Sequence, residues 1–147
     1  MNSHSIGIEL SNTGFAAFAA PLMDSLEALL YGIINRWNIP PERVVGHSDI
    51  AVGRKIDPGK RFDWMRLARQ ELAIALAVGK PQPVDPVLFC THLCCAGYAD
   101  RSLELLLPAF RLRHRQGGVG PLDGVDMALA ATLAQTYPVV DPNLENA

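Results

Sequence analysis

Apolar and polar residues alternate from His4 to Leu10: His4, Ile6, Ile8 and Leu10 face one way, and Ser5, Gly7, Glu9 and Ser11 the other. That two-residue period predicts a strand with one buried face and with Glu9 leaving the opposite one. From Pro21 to about Asn38 the period becomes helical. Leu22, Leu26, Leu29, Leu30, Ile33, Ile34 and Trp37 form a wide apolar stripe, which predicts a helix laid against a sheet with Trp37 in the core. Pro21 suits the first turn, and Asn38 before Ile39-Pro40-Pro41 closes the element. Pro40-Pro41-Glu42 then turns the chain into a second strand, Arg43 to Gly46. Asp63 is a fitting N-cap for a helix from Trp64 to Val78, on which Leu67, Leu72, Ala75 and Leu76 recur at helical spacing until Gly79.

Lys80 to Pro86 holds three prolines in seven residues and reads as a semi-rigid linker. Beyond it the spacing predicts helices over roughly 86–96, 100–116 and 125–137, broken at Gly97 and at Gly117-Gly118-Val119-Gly120. The expected fold is α/β: a mixed β-sheet flanked by helices, then a small three-helix bundle. The expected organisation is a first unit over 1–79, a linker over 80–86 and a helical unit over 87–140.

Composition changes this picture little. With 147 residues and 49% hydrophobic content the chain is able to bury a core, and a net charge of -2 argues against a general nucleic-acid binder. Residues 1–80 hold nine Lys/Arg against eight Asp/Glu, and residues 81–147 four against seven, so only the first part is slightly basic. No apolar run approaches the ~20 residues of a membrane span, and Met1 begins no signal-peptide pattern. Cys90, Cys94 and Cys95 lack the paired spacing of a structural zinc site and are expected in the core. Arg111, Arg113, His114 and Arg115 are expected on a solvated helix face.

The chemistry concentrates between Val44 and Gly59. His47 follows the second expected strand, and Lys55 and Asp57, two positions apart, point to one side of an extended backbone. A histidine and a carboxylate on one loop suit a borderline divalent metal such as zinc, with a lysine beside them to neutralise an oxyanion. The plainer alternative is a surface histidine followed by an Asp57-Pro58-Gly59 turn.

Gly46-His47-Ser48-Asp49-Ile50-Ala51, then Gly53-Arg54-Lys55, Asp57-Pro58-Gly59 and Phe62-Asp63-Trp64, closely resembles the AmpD-type zinc-dependent N-acetylmuramoyl-L-alanine amidases. The resemblance extends back to Ser5-Ile6-Gly7-Ile8-Glu9-Leu10 and covers about the first 75 residues. Val52 stands where proline is usual. The order Leu93, Gly97-Tyr98, Ala109-Phe110, His114 and Leu122-Asp123-Gly124 loosely resembles the helical peptidoglycan-binding modules appended to some of these enzymes.

The resemblance implies zinc held by His47 and Asp57, Glu9 as general base, Lys55 at the oxyanion, and peptidoglycan or a muropeptide as the ligand. It also implies a third zinc ligand, a histidine on a strand ahead of Glu9. His4 alone precedes Glu9, on the opposite face of the alternation. A truncated or mis-started amidase is the favoured expectation, with weak zinc binding and little or no activity from the chain by itself. The alternatives are a non-catalytic peptidoglycan-binding protein and a strand supplied by a partner chain.

Overall fold

The computed structural model describes residues 5–13 and 15–139, which exclude His4. Six α-helices occur among them: α1 (Ala20–Trp37), α2 (His47–Ile50), α3 (Trp64–Ala68), α4 (Pro86–Cys95), α5 (Leu103–His114) and α6 (Gly124–Thr136). The expected mixed sheet is not there: no β-ladder occurs among the described residues. A strand exists through the ladder it forms with a neighbour, and neither expected strand forms one among the described residues. Residues 5–10 carry no regular structure; Ile8 and Leu10 rest against the core, whereas Ile6 stays half exposed. Arg43 ends a 3-10 turn, Pro41–Arg43, and 44–46 lead directly into α2.

α1 forms where its apolar period predicted. Pro21 occupies the first turn, and Asn38 ends the helix in the left-handed conformation, φ 50°, one of the few non-glycine residues that adopts it readily. Of the expected stripe only Leu26 and Leu30 are buried, joined by Met23 from outside it. They pack with Phe62, Trp64, Leu67, Leu72 and Ala73. Leu29 and Trp37 are exposed, Trp37 by 62%, contrary to the core position expected of it. α1 is covered along one side only, and the Arg36 guanidinium lies over the Trp37 ring. On the covered side Arg66 of α3 bonds to both Glu27 and Asp24 of α1.

α3 is much shorter than the expected Trp64–Val78 helix. The Glu71 N–H donates to the Ala68 carbonyl and the Leu72 N–H to that of Leu67, a Schellman closure with Glu71 at φ 58°. The chain then runs on without helix, placing Leu72 and Ala73 in the first core and Ile74 in the second.

The second core is the bundle of α4, α5 and α6. Phe89, Leu93, Leu106, Phe110, Met127 and Leu129 are buried there, with Phe89 and Phe110 edge to face. Val52 and Ile74, from the first part of the chain, join the same cluster. Asp85 caps α4 by accepting the Leu88 N–H, and Asp123 caps α6 through Val125 and Asp126. The proline-rich segment lies against the start of α6: the Gln82 N–H donates to the Gly124 carbonyl, and a Cβ on Gly124 would meet the Gln82 oxygen at 2.7 Å.

The basic run is not a solvated face. Arg111 and Arg113 are each only 8% exposed. Arg111 donates to both oxygens of buried Asp126 and to the Gly120 and Pro121 carbonyls, and Arg115 pairs with Asp123 and Asp126. The cysteines depart from expectation in the other direction: Cys90 is partly buried, whereas Cys94 and Cys95 are exposed. They line, with Asp100, an open groove of about 540 Å3 beside α4.

Candidate functional site

α2 is a single turn that starts at Gly46, and the chain returns to it at Asp57. His47 Nδ1 lies 3.1 Å from Asp57 Oδ2, and both side chains are about half exposed. The Ser48 N–H donates to the Asp57 carbonyl at 2.9 Å, so the backbone also ties the two stretches. Gly46 has no room for a side chain: a Cβ would stand 2.9 Å from Pro58 Cδ. Between the two stretches the chain makes a turn over 51–54, closed by bonds from the Arg54 and Lys55 N–H groups to the Ala51 carbonyl.

Lys55, at the end of that turn, and Glu9, on its own segment, are both exposed. Neither bonds to His47 or Asp57. The structure thus brings His47 and Asp57 together and leaves Glu9 and Lys55 apart from them in contact, each open to solvent. Among the described residues, no group of three or more His, Cys, Asp or Glu side chains forms a metal cluster.

Beneath the pair is Asp49, to which the sequence reading gave no role. It is 5% exposed and collects three donors: the Gly46 N–H at 2.8 Å, the Tyr98 hydroxyl at 2.7 Å and Arg113 Nη1 at 3.1 Å. Burial, together with the charge of Asp49, holds the Tyr98 phenol well above its ordinary pKa, so it remains a donor. The Arg113 guanidinium stacks on the Trp64 ring, 4.9 Å from its centroid. An acid three residues after Gly46 was the available signal for the local bond. Nothing local announces its partners 49 and 64 positions away.

Residues 1–60 match the N-acetylmuramoyl-L-alanine amidase family. The N-acetylmuramoyl-L-alanine amidase AmiD of Escherichia coli is 34% identical over 163 aligned positions, which cover 93% of this chain and 59% of that protein. The 1,6-anhydro-N-acetylmuramyl-L-alanine amidase AmpD of Enterobacter cloacae is 42% identical over 65 residues, 44% of this chain and 35% of that one. The chain therefore spans only part of the length of either relative.

Among solved structures, AmiD from E. coli in complex with anhydro-N-acetylmuramic acid-L-Ala-D-gamma-Glu-L-Lys superposes with a TM-score of 0.76 at 31% identity, covering 84% of this chain and 55% of that one. AmpDh3 from Pseudomonas aeruginosa gives 0.73 at 26% identity, covering 84% and 56%. By sequence and by fold alike, this chain is similar to the AmpD-type N-acetylmuramoyl-L-alanine amidases over the part of their length that it spans.

Proposed function

We propose that this chain carries part of the machinery of an N-acetylmuramoyl-L-alanine amidase, which hydrolyses the amide between the lactyl group of N-acetylmuramic acid and L-alanine of the stem peptide. The observation that carries the reading is the solvent-facing His47–Asp57 pair, 3.1 Å apart on a motif that resembles the amidase loop. In this reading residues 1–79 are the amidase portion, 80–86 the linker and 87–140 a peptidoglycan-binding-like module. The muropeptide bound in the AmiD complex supports a substrate of that class.

His47 and Asp57 would hold zinc. Their donor set, an imidazole nitrogen and a carboxylate oxygen that already meet in the fold, suits zinc. When bound, zinc supplies Lewis-acid polarisation of the amide carbonyl and acidifies water for attack. Glu9 takes the proton from the attacking water and delivers it to the departing alanine nitrogen, leaving a lactyl carboxylate and a free amine. Lys55 offsets the charge on the tetrahedral oxygen, worth ~3 kcal/mol for one well-placed donor. For both, the exposed side chains have to close on the bound substrate.

Catalytic zinc sites take three protein ligands, and the described residues offer two together. Weak zinc binding and little or no turnover are therefore expected of the chain by itself. The test is incubation of the purified chain with Zn2+ and an anhydro-muramoyl-L-alanyl peptide, with products read by mass spectrometry. Weak Zn2+ binding that is lost in His47→Ala, with at most trace release of the stem peptide that disappears in Glu9→Gln, supports the reading; robust turnover at one equivalent of zinc, or release unaffected by Glu9→Gln and His47→Ala, refutes it. The two-ligand set also favours a second reading, a non-catalytic peptidoglycan binder. Zinc-independent retention of the full chain on insoluble cell wall, unchanged by His47→Ala and without turnover, would select it.

A further inference from the structure

The bundle and the His47 loop share one buried carboxylate, and that link does more than join two parts of a fold. We propose that Tyr98 and Arg113 are positioning residues for the His47–Asp57 pair, acting through Asp49. This rests on the reading of His47 and Asp57 as metal ligands.

α2 has four residues, too few to persist without outside support. Its support is Asp49, two positions after His47, with Gly46 on the other side of the histidine bonded to Asp49 Oδ2. The remaining bonds to Asp49 come from the bundle: Tyr98, between α4 and α5, donates to Oδ1, and Arg113 of α5 donates to Oδ2.

Arg113 is itself fixed. It is buried, stacked on Trp64, and its Nε and Nη2 have no bonding partner, so the Asp49 carboxylate is the acceptor that orients it. From Asp49 the order passes to the adjacent Ser48, whose N–H donates to the Asp57 carbonyl. Both candidate ligands are thus referred to the same buried oxygen pair. Residues outside the ligand set that hold ligands in place commonly matter for metal affinity almost as much as the ligands do.

The experiment uses the full chain and two readouts. In metal-free protein, the His47 ring resonances are followed by two-dimensional 1H–15N NMR; Zn2+ affinity is then measured by competition with a chromophoric chelator. Tyr98→Phe is expected to shift or broaden the His47 signals and to weaken Zn2+ binding ~10-fold. Thr91→Ala, exposed on α4, should change neither. Arg113→Lys keeps the charge but loses the planar stack, and should move both readouts in the same direction as Tyr98→Phe. It decides the question should Tyr98→Phe fail to fold.

Folded variants whose His47 signals match the wild type would overturn the proposal, because a merely stabilising contact lowers melting temperature without moving that ring. A wild-type chain that binds no Zn2+, yet whose His47 signals respond to Tyr98→Phe, would overturn the ligand reading and leave the positioning role standing.

Discussion

Replacing Asp126 by asparagine keeps the shape of the most enclosed carboxylate among the described residues and removes its charge. Asp126 is 0% exposed. Its oxygens accept Arg111 Nη2 at 2.5 Å and Nε at 3.1 Å, Arg115 Nη1 at 2.9 Å and the Asp123 N–H at 3.2 Å. Burial alone would raise its pKa, but the bonds from Arg111 and Arg115 outweigh that and hold it below the ordinary 3.8. It is therefore ionised in the folded protein. Its contribution is fully present above the ordinary carboxylate value and is lost as pH falls through the depressed one.

In Asp126→Asn, the buried guanidinium of Arg111 keeps two carbonyl acceptors and loses its counter-charge. Breaking one side of a buried ion pair costs about 3 kcal/mol, toward the lower end here because those carbonyls remain. At ~2–4 °C per kcal/mol for a chain of this size, the melting temperature should fall by roughly 6–12 °C. Thermal unfolding followed by circular dichroism at pH 7 reads it. A fall under ~2 °C would refute the argument that the charge, rather than the hydrogen-bonding shape, holds the start of α6 against α5.

Three further outcomes are expected. His114 is held down to about 3 from 6.5 by burial and by the neighbouring Arg113 charge, so stability should decline as pH drops below 6.5 toward 3. His114→Phe should shrink the difference in unfolding free energy between pH 7 and pH 5 by about 2 kcal/mol, read by urea denaturation at both values. Glu71, at φ 58°, occupies a position suited to glycine; Glu71→Gly should stabilise by ~1 kcal/mol, and a lower melting temperature would contradict the Schellman assignment. His47→Ala and Asp57→Ala should each abolish measurable Zn2+ binding in calorimetry. Because both side chains are solvent-facing, stability should change by less than ~0.5 kcal/mol.

Periodicity and capping located α1 and the three bundle helices from sequence: the stripe from Leu22 to Ile34 and the breaks at Gly97 and 117–120 are local signals with local causes. The Asp63 cap marked where α3 starts, but the helical spacing beyond it misled, because a Schellman closure at Glu71 ends α3 at Ala68. Around His47 the spacing marked the stretch where His47 and Asp57 meet, but not the helical turn of α2 or the separation of Lys55 from the pair. Strands were not legible, since the alternation from His4 to Leu10 and the apolar Val44-Val45 pair are local patterns, whereas a ladder depends on a neighbour. Nor could spacing tell which face of α1 is covered, so Trp37 and Leu29 looked buried and are exposed. The arginines of α5 looked solvated because charge along a helix does not reveal whether an acid such as Asp49 or Asp126 faces it. Tertiary structure alone decided those pairings. They join residues remote in sequence, and whether a charge is stabilised or penalised depends on the environment that closes around it.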